Sequence, residues 1–261
     1  MLSIATIGTF DGVHKGHQFL LDTLCHEAAS RGLHPVVVVI DKGTNNRLTT
    51  PEEQNGLLKK YTSNIIHFAL SDVQHLTAME FLSTLGSPLS TLLMGYNHRF
   101  GSDQLDYKQL SAISGKMDVI SCPKGPDVSS SAIRQALVNG DIELANSMLG
   151  YNYTLTGTVV HGNAIGRTIG FPTANIQVDS CKLIPKPGVY AAKDALVNIG
   201  HALNNEHLTI EAYLPNYDGP DFYDSRLSLQ LTRRLRDEQH FASLAELKAQ
   251  IQLDLKRANL L

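Results

Sequence analysis

Residues 6–24, TIGTFDGVHKGHQFLLDTL, run from a short apolar strand through a glycine-bearing corner into a helix. The preceding residues complete the strand as LSIATIG (2–8). Gly16 to Arg31 then reads as a helix with Phe19, Leu20, Leu24 and Ala28 near one face. The same alternation recurs downstream. PVVVVI (35–40) is a buried strand, and Thr50-Pro51-Glu52-Glu53 opens a helix with threonine as N-cap, proline first and glutamate third. NIIHFAL (64–70) and STLLMG (90–95) are two further strands, each followed by helical sequence. A βαβαβα order predicts an α/β fold whose parallel sheet carries helices on both faces.

After Gly150 the periodicity changes. YNYTLTGTVV (151–160), GVYAAK, ALVNIG, LTIEAYL and RLSLQLT are short strands divided by Gly, Pro and Asn, the pattern of an antiparallel barrel or sandwich. A last helix is expected from Ser243, with Glu246 completing a capping box and Leu244, Leu247, Ile251 and Leu255 as its apolar stripe. The chain of 261 residues is therefore expected to hold two domains, 1–150 and 151–261.

Bulk composition narrows the partners. A net charge of −3 gives no global attraction to nucleic acid or an anionic membrane, so an anionic ligand must be gripped locally. The longest aliphatic run, Val36 to Ile40, is far short of the ~20 residues that span a bilayer. The first residues lack the basic and apolar regions of a signal peptide. Cys25, Cys122 and Cys181 have no metal-ligand spacing and read as reduced thiols of a cytoplasmic protein, expected to be a monomer or weak oligomer.

His14 and His17 fall where the first helix begins, beyond the carboxyl end of the first strand, where α/β sheets bind ligands. Gly12 and Gly16 let backbone approach a ligand there. Two imidazoles so placed can stabilise a phosphate during in-line displacement; the alternative is a pair of capping or surface histidines. Ser129 to Ser131 precede Ile133 and Leu137 and crown another helix, with Arg134 one turn in. They are either plain caps or the second half of a nucleotide grip. Asn97 and Arg99, in MGYNHRFG (94–101), follow a strand at the same edge.

A second cluster lies in GTVVHGNAIGRTIGFPTANI (157–176). Its glycines make a backbone-rich loop able to fold over phosphates. Thr173 and Asn175, two apart in extended chain, share a face and offer oxygen ligands for Mg²⁺ near a phosphate. The alternative is a glycine-rich turn with asparagine as turn former. Glu211 stands on the face opposite Ile210 and Ala212, as either a base near the nucleotide or a solvated strand glutamate. SGKMD (114–118) is not a Walker A loop.

Together these strings resemble the bacterial bifunctional riboflavin kinase/FAD synthetases. GTFDGVHKGH, LTTPEEQ, MGYNHRFG and VSSSAIR are similar to the adenylyltransferase half, and GRTIGFPTAN, LIPKPGVYAA and IEAYL to the kinase half. The resemblance implies a Rossmann-like nucleotidyltransferase domain followed by a barrel kinase domain. By it, His14 and His17 stabilise the α-phosphate of ATP while FMN attacks, and Ser129, Ser130 and Arg134 hold the outgoing phosphates. Gly8, Phe10 and Asn97 complete that ATP site. In the second domain Gly166, Arg167, Thr173 and Asn175 bind Mg²⁺–ATP, and Glu211 takes the proton of the ribityl hydroxyl. Implied substrates are riboflavin, FMN and ATP, with FAD as final product and no nucleic acid or membrane partner.

Three stretches depart from the family pattern. VVVVIDKGTNNRLTT (36–50) lacks the usual aromatic residue and His-Pro pair, HALNNEHL (201–208) replaces a Pro-Thr loop, and Asp118 to Ser129 is compressed. Alternative readings are therefore a paralogue that keeps mainly the kinase step, or a non-catalytic flavin- or nucleotide-binding regulator.

Overall fold

The computed structural model describes residues 2–86, 88–162, 165–201 and 208–260. These form two compact units, Met1–Ser130 and Ser131–Leu261.

The first unit contains β1 (Ser3–Gly8), α1 (Lys15–Arg31), β2 (His34–Asp41), α2 (Pro51–Leu58), β3 (Ile65–Ala69), α3 (Leu70–Val73), α4 (Ala78–Thr84), β4 (Leu89–Met94), α5 (Tyr107–Ile113) and β5 (Asp118–Ser121). All pairings in its sheet are parallel, in the order β3-β2-β1-β4-β5. The chain moves outward from β1 to β3, then crosses back to place β4 on the other side of β1. That reversal opens a crevice at the carboxyl end of β1. Alternate strand residues bury on both faces: Ile4, Val37, Val39 and Leu93 on one, Ala5, Ile7, Val38 and Leu92 on the other. The expected start of α2 is present in full, with Thr50 Oγ1 accepting from Glu53 N at 3.2 Å and Thr50 N donating to Glu53 Oε2 at 3.0 Å. In α1 the buried face is Leu21, Leu24 and Ala28, while Phe19 and Leu20 are only half-buried, toward the crevice.

The second unit begins within α6 (Ser130–Asn139) and continues through α7 (Ile142–Leu149) into β6 (Thr154–Val160), α8 (Ile165–Thr168), β7 (Thr173–Val178), β8 (Gly188–Ala192), β9 (Ala195–His201), β10 (Leu208–Tyr213), β11 (Arg226–Arg236) and α9 (Leu244–Ala258). Its strands close an antiparallel barrel in the order β10-β7-β6-β11-β8-β9. Closure removes free sheet edges, so no strand of the ring needs a covering partner. The compact units part at Ser130/Ser131, and α7 is joined to the barrel through Asn146. Asn146 donates to Leu231 O at 2.9 Å and accepts from Tyr153 N at 2.7 Å.

The last helix needs two corrections. Ser243 Oγ accepts from Glu246 N at 3.2 Å, but Glu246 Oε2 takes its bond from Ala242 N, so the reciprocal half of the box is displaced by one residue. Leu244 is exposed, leaving Leu255 and Ile251 to meet Phe171, Val189 and Leu196. The helix is instead pinned electrostatically. Fully buried Asp254 accepts from Arg236 Nε at 2.8 Å through an oxygen that also lies 2.8 Å from Nη2, an ion pair that sequence periodicity does not reveal.

Candidate active sites

In the first unit the corner after β1 is strained and tightly braced. Phe10 (φ 47°) and Val13 (φ 35°) both occupy the left-handed region, unfavourable for an aromatic and a β-branched residue. Val13 N closes the turn on Phe10 O at 3.0 Å. Buried Asp11 anchors it, accepting from Leu48 N (2.9 Å), Thr49 N (3.2 Å) and Thr49 Oγ1 (3.4 Å). Gly12 N donates to the same threonine hydroxyl at 3.1 Å, and Ser130 Oγ donates to Asp11 O at 2.9 Å.

This bracing delivers His14 as the N-cap of α1, its Nδ1 accepting from His17 N at 3.4 Å. The acceptor role of Nδ1 leaves Nε2 of a neutral His14 as the donor. The two rings stack at 3.7 Å and 18°, with Phe10 edge-on to His17 at 5.2 Å. Gly16 is the residue that permits this, since a Cβ there would lie 3.2 Å from the His14 ring. Burial lowers His14 to about 4 against the weaker upward pull of Asp11. Burial, then the charge of His14, lowers His17 to about 3. Both are neutral donors at pH 7, able to bond a phosphate without burying a charge of their own.

A cavity of about 750 Å³ opens over this corner. Gly8, Phe10, His14 and His17 all line it, together with His98, Lys42 and Arg99. The opposite wall is apolar, with Leu70, Val73, Leu76 and Phe100. Asn97 is exposed and does not line the cavity; its neighbours His98 and Arg99 do. Ser129, exposed, and Ser130, half-buried, follow one and two residues past the lining at Val128. Arg134 belongs to the second compact unit.

The short stretch after β2 is built around one buried arginine. Arg47 Nη1 reaches both oxygens of Asp41 (2.8 and 2.9 Å), its Nε reaches Thr49 O (3.2 Å), and its Nη2 reaches Gln54 Oε1 (3.2 Å). Gln54 Nε2 in turn donates to Thr9 O at 2.8 Å. The chain between β2 and α2 thus reaches the histidine corner through a polar hub. A single arginine in TNNRLTT offers no periodic signal by which sequence reasoning could find it.

In the barrel, register brings together Thr173, Asn175 and Glu211. Glu211 on β10 lies opposite Asn175 on β7 and, on its other side, Asn198 on β9. The Thr173 hydroxyl bonds the Glu211 carboxylate, but burial outweighs that bond and raises the carboxyl above its ordinary value. A raised carboxyl pKa suits a general base near neutral pH. The glycine-rich segment lies on this set: a Cβ on Gly162 would sit 2.1 Å from Asn175 Nδ2, and one on Gly166 would sit 2.2 Å from Phe171 O. Arg167 is held by Asp221 at 2.6 Å, and His161 stacks on Tyr223 at 3.7 Å. Within HALNNEHL, residues 202–207 lie outside the described residues.

Among the described residues no cluster of three His, Cys, Asp or Glu could hold a metal. The barrel set offers a hydroxyl, an amide and one carboxylate, a donor set that fits Mg²⁺ arriving with nucleotide phosphates. Also among the described residues, no helix is long and apolar enough to cross a membrane.

Comparison with known proteins matches these two units to two catalytic modules. Residues 2–132 match the FAD synthetase family and residues 149–261 the riboflavin kinase family. The bifunctional riboflavin kinase/FMN adenylyltransferase of Escherichia coli K12 is 33% identical, covering 96% of this chain and 90% of that protein. Its counterpart in Bacillus subtilis 168 is 30% identical over 98% and 91%. A crystal structure from Streptococcus pneumoniae, described as a macrolide-efflux protein, superposes with a TM-score of 0.89 at 28% identity, covering 98% of this chain and 93% of that one. With both modules matched in order and near-complete coverage, the chain belongs to the bifunctional riboflavin kinase/FMN adenylyltransferase family.

Proposed function

We propose that the chain phosphorylates riboflavin to FMN at the barrel and adenylylates FMN to FAD at the histidine corner, using ATP in both steps. One observation supports this most: each unit gathers groups suited to its step, stacked neutral histidines in one and Thr173, Asn175 and Glu211 in the other. A non-catalytic regulator would need no buried base.

At the corner, His14 and His17 donate hydrogen bonds to oxygens of the ATP α-phosphate, where charge accumulates during in-line displacement. Gly8, Phe10 and Asn97 belong to the nucleotide site, and Ser129, Ser130 and Arg134 take the departing β- and γ-phosphates. In the barrel, Glu211 orients the ribityl 5′-hydroxyl and accepts its proton as the oxygen attacks the γ-phosphate. Gly166 and Arg167 flank the ATP phosphates. Thr173 and Asn175 would hold Mg²⁺, which screens phosphate charge when bound. We assign 1–150 to adenylyl transfer and 151–261 to the kinase, in a cytoplasmic protein that is a monomer or weak oligomer.

The test is a time course with riboflavin, ATP and Mg²⁺, separating FMN from FAD. FMN followed by FAD is expected. FMN alone would identify a kinase-only paralogue, and neither product a regulator.

A further inference from the structure

Among the described residues lining the 750 Å³ cavity there is no Asp or Glu, although Lys42 and Arg99 both face it. Two carboxylates on the segments that carry the histidine corner and Lys42 are drawn into the scaffold. Asp11 is spent on Leu48 and Thr49, and Asp41 is turned onto Arg47 at 2.8 Å. A cavity with two cations, three histidines and no acid selects anions.

The sheet order separates the two cations. Gly8 of β1 pairs with Val39 of β2, so Lys42 follows three residues beyond, on the β2 side of the histidine corner. Arg99 follows β4, on the opposite side of β1, where it donates to Gln104 O at 3.1 Å. Ser129 and Ser130 come after β5, also on that far side. In-line displacement puts the attacker and the leaving group on opposite flanks of the reacting phosphorus, and in adenylyl transfer to a phosphate acceptor both are anionic. Lys42 is exposed at the rim and has no hydrogen-bond or ion-pair partner among the described residues.

We infer that Lys42 binds the phosphate of the acceptor flavin and is the residue by which the adenylyl-transfer site prefers FMN to riboflavin. The inference rests on the adenylyl-transfer reading above. An FMN phosphate oxygen forms a bond to the α-phosphorus of ATP, the bond from that phosphorus to the bridging oxygen breaks, and pyrophosphate leaves with that oxygen. No proton changes hands. Lys42 holds the attacking dianion and offsets its repulsion against the triphosphate, a service that riboflavin, with no phosphate, cannot use. The Arg47 hub matters here because it removes Asp41, which would otherwise pair with its own neighbour.

The experiment compares wild type with Lys42→Ala and Lys42→Arg. It measures KM for FMN and ATP in FAD formation, KM for pyrophosphate in the reverse direction, and riboflavin phosphorylation as a folding control. Losing one charge-assisted contact should raise KM for FMN about tenfold or more in Lys42→Ala. Lys42→Arg should restore most of it, with the ATP and pyrophosphate constants and riboflavin phosphorylation little changed. An unmoved KM for FMN overturns the assignment, as does a rise for ATP or pyrophosphate equal to that for FMN. If wild type forms no FAD from FMN, the adenylyl-transfer reading fails first and the Lys42 inference falls with it. Wild type active and Lys42→Ala indistinguishable from it isolates failure to Lys42 alone.

Discussion

The histidine corner and the barrel site differ in what burial does to their titratable groups. At the corner, burial strips charge from both imidazoles and leaves neutral donors on a scaffold braced by Asp11 and Arg47. In the barrel, burial raises the Glu211 carboxyl, which suits it to the proton transfer proposed for it. Adenylyl transfer to FMN begins with an acceptor already ionised and needs no base. Phosphorylation of a hydroxyl does. Burial is common to both sites; the residue type decides whether it creates a donor or tunes a base.

Exchanging the roles by mutation is the strongest way to break that contrast. Glu211→Gln removes proton transfer and should lower riboflavin phosphorylation by about 10²–10⁴-fold, with FAD formation from supplied FMN retained. His17→Ala should do the converse, cutting FAD formation by about 10²–10³-fold while leaving phosphorylation near normal. Product analysis from riboflavin and from FMN separates the two. A folded variant that loses both activities would show that the sites are not independent.

A smaller effect sharpens how the barrel holds nucleotide. Gly162→Ala places a methyl 2.1 Å from Asn175 Nδ2, so the amide must swing away. The expected outcome is KM for ATP in the kinase step raised about tenfold, the worth of one lost polar contact, with FAD formation unchanged. An unaltered KM would mean that Asn175 does not face the nucleotide.

What could be read in the sequence beforehand follows from the range of each interaction. The strands, the start of α2 and the strand–corner–helix at His14 and His17 are local patterns, and the structure reproduces them. Register explains why Thr173, Asn175 and Glu211 meet, and alternation already put the first two on one face. What escaped detection is non-local and polar. Asp11 reaches Leu48 and Thr49 across 37 and 38 residues, and Arg236 finds Asp254 across 18. No periodicity marks such partners. Leu244 misled for the reverse reason, because it fits the helical stripe yet lies before the first turn that meets the barrel.

The pH profiles should diverge next. With folded values near 4 and 3, His14 and His17 stay neutral well below pH 6.5, so FAD formation should show no acid limb from them down to about pH 5. Phosphorylation should lose activity from a higher pH than an ordinary glutamate would impose, since Glu211 protonates early. An acid limb near 6.5 in FAD formation, absent in His14→Ala and His17→Ala, would show that the imidazoles work as cations.

Stability gives the finest test of the same contrast, and its sign can be worked out. A carboxyl whose folded pKa is raised favours the fold while protonated, below its unfolded value. That contribution is lost as pH rises through the folded value, so at neutral pH ionised Glu211 is a burden on the barrel. Gln keeps an oxygen to accept from Thr173 and removes the buried charge. Glu211→Gln should therefore raise the thermal midpoint of the barrel at pH 7, by about 2–4 °C if the relief is near 1 kcal/mol. The gain should shrink as the pH falls and Glu211 protonates in the wild type. The histidines predict the opposite trend for the first unit: unfolded histidines take up protons below 6.5 while the folded pair does not, so its stability declines from pH 6.5 toward 4. Calorimetry of wild type and Glu211→Gln at pH 7 and pH 5 reads both. A midpoint lowered by Glu211→Gln at pH 7 would mean that the carboxylate is a structural partner of Thr173 and not a base held at a cost to the fold.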